Sequence, residues 1–374
     1  MISLSATRAE INLSAIVSNL LSIKERVAPA GVMAVVKANA YGHGLSEVAK
    51  VALENGVQYL GVARVEEGIR IRRFESDKPV LVFGGFMANE VPEFLKNNLE
   101  LTVFDLRLAE SLSTTARELG AVAKVHIKVD TGMGRVGLQW QEAAEFITRV
   151  WELSHVQVVG IYTHFASSDS ADNSFADIQL HRFRQVLSEL DDRGVEIPVK
   201  HAANSGAILD LPASYFDLVR AGVSLYGYYP SANTSESLRL TPSMTLKSQV
   251  ISVREVEAGT KISYDATYET QRRTRMAVVA IGYGDGYNRL LSNQGEVLIN
   301  GKRYPVRGRV CMDHIMVETG PEAEIRIGDE VVLLGRQGAE EISIDEICTK
   351  LNTIPYEFTT LISDRVPRVY KESH

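Results

Sequence analysis

Seven residues able to carry charge or hydrogen-bond a ligand follow short apolar runs: Lys37, Arg64, Asp105, Asp130, His164, Asn204 and Arg220. Lys37 is the most unusual, because it closes the run "VMAVV" and opens a loop of small and polar residues. An ammonium group removed from water without a partner is costly, so it pairs, sheds its proton or reacts. An amine that has shed its proton is a nucleophile, able to form a Schiff base with a carbonyl substrate or with a cofactor aldehyde. Two small-residue loops separate these options. "AANSGA" offers Asn204, Ser205 and Gly206, and "RAGVSLYG" offers backbone N–H groups at Gly222 and Val223. Loops of this kind suit phosphate oxygens. A lysine nucleophile beside a phosphate cradle points to an aldehyde that carries a phosphate, which is pyridoxal phosphate.

Those residues need a scaffold. Apolar runs at Val32–Val36, Tyr59–Ala63, Val80–Phe83, Leu101–Phe104, Lys124–Val129, Val156–Tyr162, Ile197–His201 and Phe216–Arg220 predict eight strands. Stretches with helical spacing lie between most of them, among them Leu45–Leu53, Leu108–Leu119, Ala143–Leu153 and Phe183–Leu190. Eight strands alternating with helices predict an α/β fold, a (β/α)8 barrel whose active site sits where the strands end. A doubly wound open sheet is the alternative, but no GxGxxG follows the first strand. Polar "YYPSANTSESLRLTPS" reads as a linker, and strands dominate beyond it, from Leu246–Val256 to Glu330–Leu334. The expected domains are therefore residues 1–235, the barrel, and 236–374, a mostly β C-terminal domain. Residues 1–10 could add a strand to either.

Bulk properties narrow the class. The 374 residues are 45% hydrophobic and 23% charged, and 40 Lys plus Arg against 47 Asp plus Glu leave a net charge of −7. With no basic run and few aromatics, nucleic acid is not an expected partner. No apolar segment suits a bilayer, the N-terminus does not read as a signal peptide, and a cytoplasmic enzyme is expected. The two cysteines, Cys311 and Cys348, form no disulfide framework or paired-Cys metal motif, so no metal is expected.

Seven stretches, "AVVKANAYGHG", "HIKVDTGMGRVG", "GIYTHFA", "RAGVSLYG", "SYDATY", "GRVCMDHIMV" and "RVPRVY", resemble the motifs of bacterial alanine racemases in order and spacing. The likeness runs from "RAEINL" (Arg8–Leu13) to Tyr370. It implies a pyridoxal 5'-phosphate enzyme that interconverts L- and D-alanine, the latter for cell-wall peptidoglycan. Lys37 would be the lysine bonded to the cofactor, and Tyr41, Asn204, Ser205, Gly222, Val223 and Tyr356 would help to hold it. Arg220 would face the pyridine nitrogen, and His164 would lie beside a second base, Tyr264. Arg135 and the backbone of Met312 would place the substrate carboxylate, and Tyr283 and Arg289 would line the approach. Lys128 matches a lysine that is carbamylated in some relatives. Family members are homodimers in which Tyr264 and Met312 of one copy complete the barrel site of the other.

The chemistry is consistent with that allocation. Racemisation removes a proton from one face of a carbon and delivers one to the other, which two bases on opposite faces accomplish. An arginine at the pyridine nitrogen donates a hydrogen bond without giving up its proton, weakening the ring as an electron sink. Rival readings are a non-catalytic pyridoxal phosphate carrier on the same barrel, a decarboxylase of barrel-plus-β architecture, and a cofactor-free Schiff-base aldolase. The β domain with Tyr264 argues against the first, Arg220 against the second, and the phosphate cradle against the third. One departure from the family pattern is Asp265, where many relatives carry glycine, and a backbone with positive φ is expected there. Cys311 is expected to be a small core residue.

Overall fold

A computed structural model describes residues 5–372. The chain divides into two compact units, one of Ala15–Ala40 with Leu45–Thr241, the other of the N-terminal segment up to Ser14, Tyr41–Gly44 and the chain from Pro242 onward.

In the first unit eight parallel strands lie in the hydrogen-bonded order Leu218–Ala221, Gly31–Val35, Tyr59–Val62, Val80–Val82, Glu100–Val103, Ala123–Asp130, Val156–Tyr162 and Val199–His201. In chain order Gly31–Val35 is the first barrel strand and Leu218–Ala221 the eighth. Asp217 N–H donates to Lys200 O at 3.1 Å and Arg220 N–H to Ala203 O at 3.0 Å, bringing the seventh and eighth strands together. The result is a nearly closed (β/α)8 barrel. Its strands are short apolar runs because helices cover their outer face while side chains fill the interior. The longest covering helix, Ser174–Asp192, buries Ala176, Leu180, Phe183, Leu187 and Leu190 along one stripe.

Part of the interior is apolar, with Met33, Leu81 and Leu218 packed against Tyr59, Phe83 and Val199. The rest is polar. Side chains alternate along a strand, so His126, Lys128 and Asp130 share one face of the fifth, as Glu100 and Thr102 do on the fourth. All five are buried. The sixth strand makes room for them at Gly160, where a Cβ would collide with the His126 imidazole.

The second unit is mostly β. Its central strand, Met244–Val256, pairs antiparallel with Arg8–Asn12, Thr274–Val279 and Glu330–Gln337. Arg8–Asn12 also pairs, in parallel, with Arg368–Lys371. The N-terminal strand thus joins the β unit. Glu10 on that strand bonds Lys371 at 2.6 Å, Arg8 at 2.9 Å and Lys247 at 3.2 Å. Burial alone would raise the Glu10 carboxyl, but these three cations outweigh it and hold it at about 2. Among the described residues, no helix is long and apolar enough to cross a membrane.

Gly160→Ala is expected to destabilise the barrel by about 1–3 kcal/mol, the usual cost of overpacking a filled interior. A urea midpoint equal to that of the parent protein would show that the His126 ring can move aside.

Candidate active site

Lys37 stands just past the first barrel strand, and the backbone beyond it is not an ordinary loop. Ala38, Asn39, Ala40 and Tyr41 have φ of +53°, +54°, +55° and +51°, a left-handed turn built from residues other than glycine. Each such residue costs about 1–2 kcal/mol relative to its right-handed form, so neighbouring groups must hold the turn. The Glu67 carboxylate accepts from Ala38 N–H at 2.6 Å, and Asn39 Oδ1 accepts from Leu45 N–H at 3.0 Å. Glu67 also accepts from Ala63 N–H at 2.8 Å and Arg64 N–H at 3.2 Å, tying the ends of the first two strands together. Burial lowers the Lys37 pKa, and Arg135 and Arg220 lower it further against an opposing pull from Glu67.

Arg220 is 4% exposed and, among the described residues, has no carboxylate within hydrogen-bonding distance. Its Nη1 bonds His201 Nδ1 at 3.0 Å. Its Nη2 lies 2.8 Å from Ala202 O, 2.9 Å from Thr163 O and 3.1 Å from His164 Nδ1. The guanidinium also sits 5.5 Å from the centre of the Tyr162 ring. Burial pushes its pKa down to about 10, still well above neutrality. An arginine only donates, so His164 receives the bond on an unprotonated Nδ1 and keeps its proton on Nε2. Burial and then the cations Arg220, Lys128, Arg135 and Lys37 hold His164 well below the usual imidazole range, so it is neutral.

Lys128 is 4% exposed, and its Nζ makes no hydrogen bond among the described residues. It lies 5.2 Å from the centre of the Tyr162 ring. Burial, with Arg220 and Arg135 adding to it, pushes its pKa down to about 7. Arg135 is exposed on the loop after the fifth strand, whose turn Asp130 organises by accepting from Gly132 N–H at 2.9 Å and Gly134 N–H at 2.9 Å.

Beyond the seventh strand, Asn204 caps the helix Ser205–Asp210, its Oδ1 accepting from Ala207 N–H at 3.1 Å and from Ser168 Oγ at 2.6 Å. Ser205 Oγ accepts from Gly222 N–H at 3.0 Å and Ser224 N–H at 3.3 Å, so the two small-residue loops meet. The N–H groups of Ser205 and Gly206, and of Val223 at the start of the turn Val223–Tyr226, have no acceptor within their own helices. Lys37, Lys128, Arg135, His164 and Arg220 therefore form one electrostatically coupled group, and Asn204, Ser205, Gly222 and Val223 a hydrogen-bonded second one. Arg64 and Asp105, grouped with them on sequence, do other work. Arg64 starts the helix Val65–Arg72, and Asp105 caps Leu106–Glu118 through Leu108 N–H at 3.0 Å.

The remaining candidates lie in the β unit. Tyr264 is 69% exposed at the start of a short turn in which Ser263, Asp265 and Ala266 have φ of +65°, +60° and +50°. Asp265 thus occupies the positive-φ region, and its carboxylate lies 3.5 Å from Arg309 Nε. A cleft of about 390 Å³ lined by Ser252, Ser263, Tyr264, Cys311 and Met316 opens beside the phenol. Cys311 is only half-buried, with Sγ 3.5 Å from Ser263 Oγ, so it is not the core residue its type predicts. Met312 is 53% exposed; its carbonyl accepts from Gly284 N–H at 2.9 Å, and among the described residues its own N–H has no acceptor. Tyr283 and Arg289 are exposed on neighbouring turns. Tyr41 is buried, its ring 5.9 Å from that of half-buried Tyr356.

The alanine racemase N-terminal domain family matches residues 11–230, and the alanine racemase C-terminal domain family matches residues 243–370. The chain belongs to the alanine racemase family. The alanine racemase of Methanococcus maripaludis is 45% identical over 365 residues, covering 97% of this chain and 98% of that protein. Alanine racemase from Clostridium difficile 630 superposes with a TM-score of 0.95 at 39% identity, covering 100% of this chain and 97% of its own. A Bartonella henselae alanine racemase, solved with covalently bound pyridoxal phosphate, gives a TM-score of 0.88 at 29% identity, covering 98% and 99%.

Several contributors to the racemase barrel escape a reading of strand ends. Glu67, which clamps two loops, is a helix residue with no motif. Glu100, His126 and His201 stand inside the barrel, yet "HIKVD" carried a signal, since three polar residues alternate along a strand buried on both faces.

Lys128 makes the cofactor-free protein unusually sensitive to pH. The folded amine loses its proton near pH 7, while the unfolded one keeps it to 10.5. Between those values the unfolded chain binds the extra proton, so stability rises with pH by up to about 1.4 kcal/mol per unit from this group. Urea titrations at pH 7 and pH 9 in CO2-free buffer should show this slope in the parent and lose it in Lys128→Met. Equal slopes would mean that the buried amine stays protonated.

Proposed function

We propose that this protein is a pyridoxal 5'-phosphate-dependent, two-base alanine racemase that supplies D-alanine for peptidoglycan in the cytoplasm. The observation that carries the reading is Arg220, a buried guanidinium bonded to neutral acceptors and to His164 with no carboxylate at hand. A decarboxylase of similar architecture needs a carboxylate in that place.

The residues present fit the cofactor. A lysine with a lowered pKa suits its aldehyde, and the Ser205 hydroxyl with free N–H groups at two helix starts suits its phosphate. Tyr41, Ser205, Gly222, Val223 and Tyr356 would hold the phosphate end, and Asn204 would contribute its amide nitrogen. The Nε of Arg220 has no acceptor among the described residues and would donate to the pyridine nitrogen. When bound, the cofactor supplies the electron-withdrawing system that loosens the α-proton of alanine.

Two groups of the chain move that proton. Lys37 Nζ, its pKa lowered, takes or gives it on one face. The Tyr264 hydroxyl oxygen serves the opposite face, and a free phenol ionises only near pH 10. In the dimer proposed below, His164 of the other copy would assist: Arg220 occupies its Nδ1, so Nε2–H is left as a donor for a phenolate oxygen. Arg135 and the Met312 N–H would bind the substrate carboxylate, and Tyr356 would leave room beside it for a methyl group. Tyr283 and Arg289 would line the approach. Lys128, as a neutral amine, can attack CO2 and lose a proton to become a carbamate, an anion that would orient Arg135.

The active form in this reading is a homodimer, with Tyr264 and Met312 of one copy completing the barrel of the other. Their exposure, with Leu290 64% exposed nearby in sequence, supports a surface meant to be covered.

Incubation with pyridoxal phosphate and L-alanine should carry the optical signal to zero with alanine conserved. Lys37→Ala should lose the yellow colour and all activity; Tyr264→Phe should stay yellow and stop racemising. Mixing these two inactive variants should restore up to about a quarter of parental activity, because half the sites in a mixed dimer are intact. No recovery after subunit exchange would refute shared sites. With 13C-bicarbonate, a carbamate resonance should appear in the parent protein and vanish in Lys128→Met.

A further inference from the structure

Arg220 does not end at His201. His201 Nε2 lies 2.9 Å from His126 Nδ1, and His126 Nε2 lies 2.8 Å from Glu100 Oε2. With Arg220 Nη1 at 3.0 Å from His201 Nδ1, a continuous hydrogen-bonded chain crosses the barrel interior. It runs from the first residue of the fourth strand to the eighth strand. Its members are 4%, 0%, 0% and 4% exposed from Glu100 to Arg220.

The chemistry of the two ends sets its direction. Arginine can only donate, so His201 Nδ1 must accept and the His201 proton must sit on Nε2. His126 then accepts on Nδ1 and carries its own proton on Nε2, pointing at Glu100. An ionised carboxylate can only accept, so both ends demand the same arrangement of protons. A glutamine in place of Glu100 could instead donate to His126, reversing both imidazoles and turning a proton of His201 against the guanidinium.

The surroundings hold the rings in place for this purpose. Tyr162 stacks on His201 at 4.7 Å with planes 9° apart, and its hydroxyl lies 3.0 Å from Thr102 Oγ1. The Tyr59 ring meets His126 edge-on at 5.8 Å, and burial and the Glu100 carboxylate together hold the Tyr59 phenol well above its ordinary pKa. Gly160 keeps the space that His126 fills. A chain this constrained has one low-energy proton arrangement.

We propose that Glu100 is a positioning residue for Arg220, acting through His126 and His201 to fix the direction of their hydrogen bonds and to balance the buried guanidinium from the far end of the barrel. Its role toward the cofactor rests on the racemase reading; the proton arrangement does not.

The test is 15N NMR on protein with 15N-labelled histidine, with and without pyridoxal phosphate labelled at the ring nitrogen. In the parent protein both His126 and His201 should show protonated Nε2 and unprotonated Nδ1, even without cofactor. Glu100→Gln should give His201 a mixture of the two tautomers and move the ring-nitrogen resonance of the loaded enzyme. It should lower kcat on the order of tenfold with little change in KM, as expected when a ring loses its enforced tautomer. A parent His201 protonated at Nδ1 overturns the proposal, whether or not any variant folds. So does a Glu100→Gln enzyme with unchanged His201 tautomer, ring-nitrogen resonance and kcat. Should the expected tautomers appear in a parent protein that does not racemise alanine, the relay stands and the racemase reading fails.

Discussion

A guanidinium buried without a carboxylate beside it must be surrounded by acceptors, and much of the barrel interior serves that need. Two backbone carbonyls and two imidazole nitrogens receive the bonds of Arg220. Because the arginine keeps its proton, each imidazole that touches it is compelled to be neutral and to expose its other nitrogen as a donor. The same positive charge reaches Lys37, Lys128 and His164 and lowers the pKa of all three. Burial is the larger cause in each case, and Arg220, a cation that keeps its proton, adds to it. A lysine in its place, with only three donors on one compact ammonium, could not serve all four acceptors.

The second constraint is the left-handed turn after Lys37. Four residues in succession hold a conformation that L-amino acids avoid, and Glu67 and Asn39 supply the bonds that keep it. Strain of this kind persists only where surrounding groups over-determine it, and it gathers where a side chain must be aimed. Here the turn begins immediately past the lysine, so the amine projects from a backbone that these bonds hold in place.

The strand-and-helix alternation was legible in the sequence because parallel barrel strands are nearly uniform apolar runs, and the residues at their ends stood out as polar intrusions. Lys37, His164 and Arg220 were found that way. The same rule overreached with Asp105, since a polar residue after a strand is as readily the cap of the next helix. Glu100 and His201 were missed for the opposite reason: polar side chains inside a barrel leave no mark unless the two-residue alternation is followed through the whole strand. Tyr264 could be recognised only by family resemblance. No pattern of apolar residues announces a turn whose tyrosine faces solvent.

The strand Arg8–Asn12 is made among the first residues of the chain, yet its two neighbours are Met244–Val256 and Arg368–Lys371. The entire barrel is threaded between one strand and its partners. In chain order the barrel has all its strands by Ala221, whereas the strand Arg8–Asn12 has no partner until Met244–Val256 and lacks its second until Arg368–Lys371. Charge protects it in the meantime: "RAEIN" alternates Arg8 and Glu10 with its apolar residues, a pattern that discourages association with other edges. Glu10 then finds Lys247 and Lys371, one from each neighbour, so the same carboxylate registers the arrival of both strands that flank it.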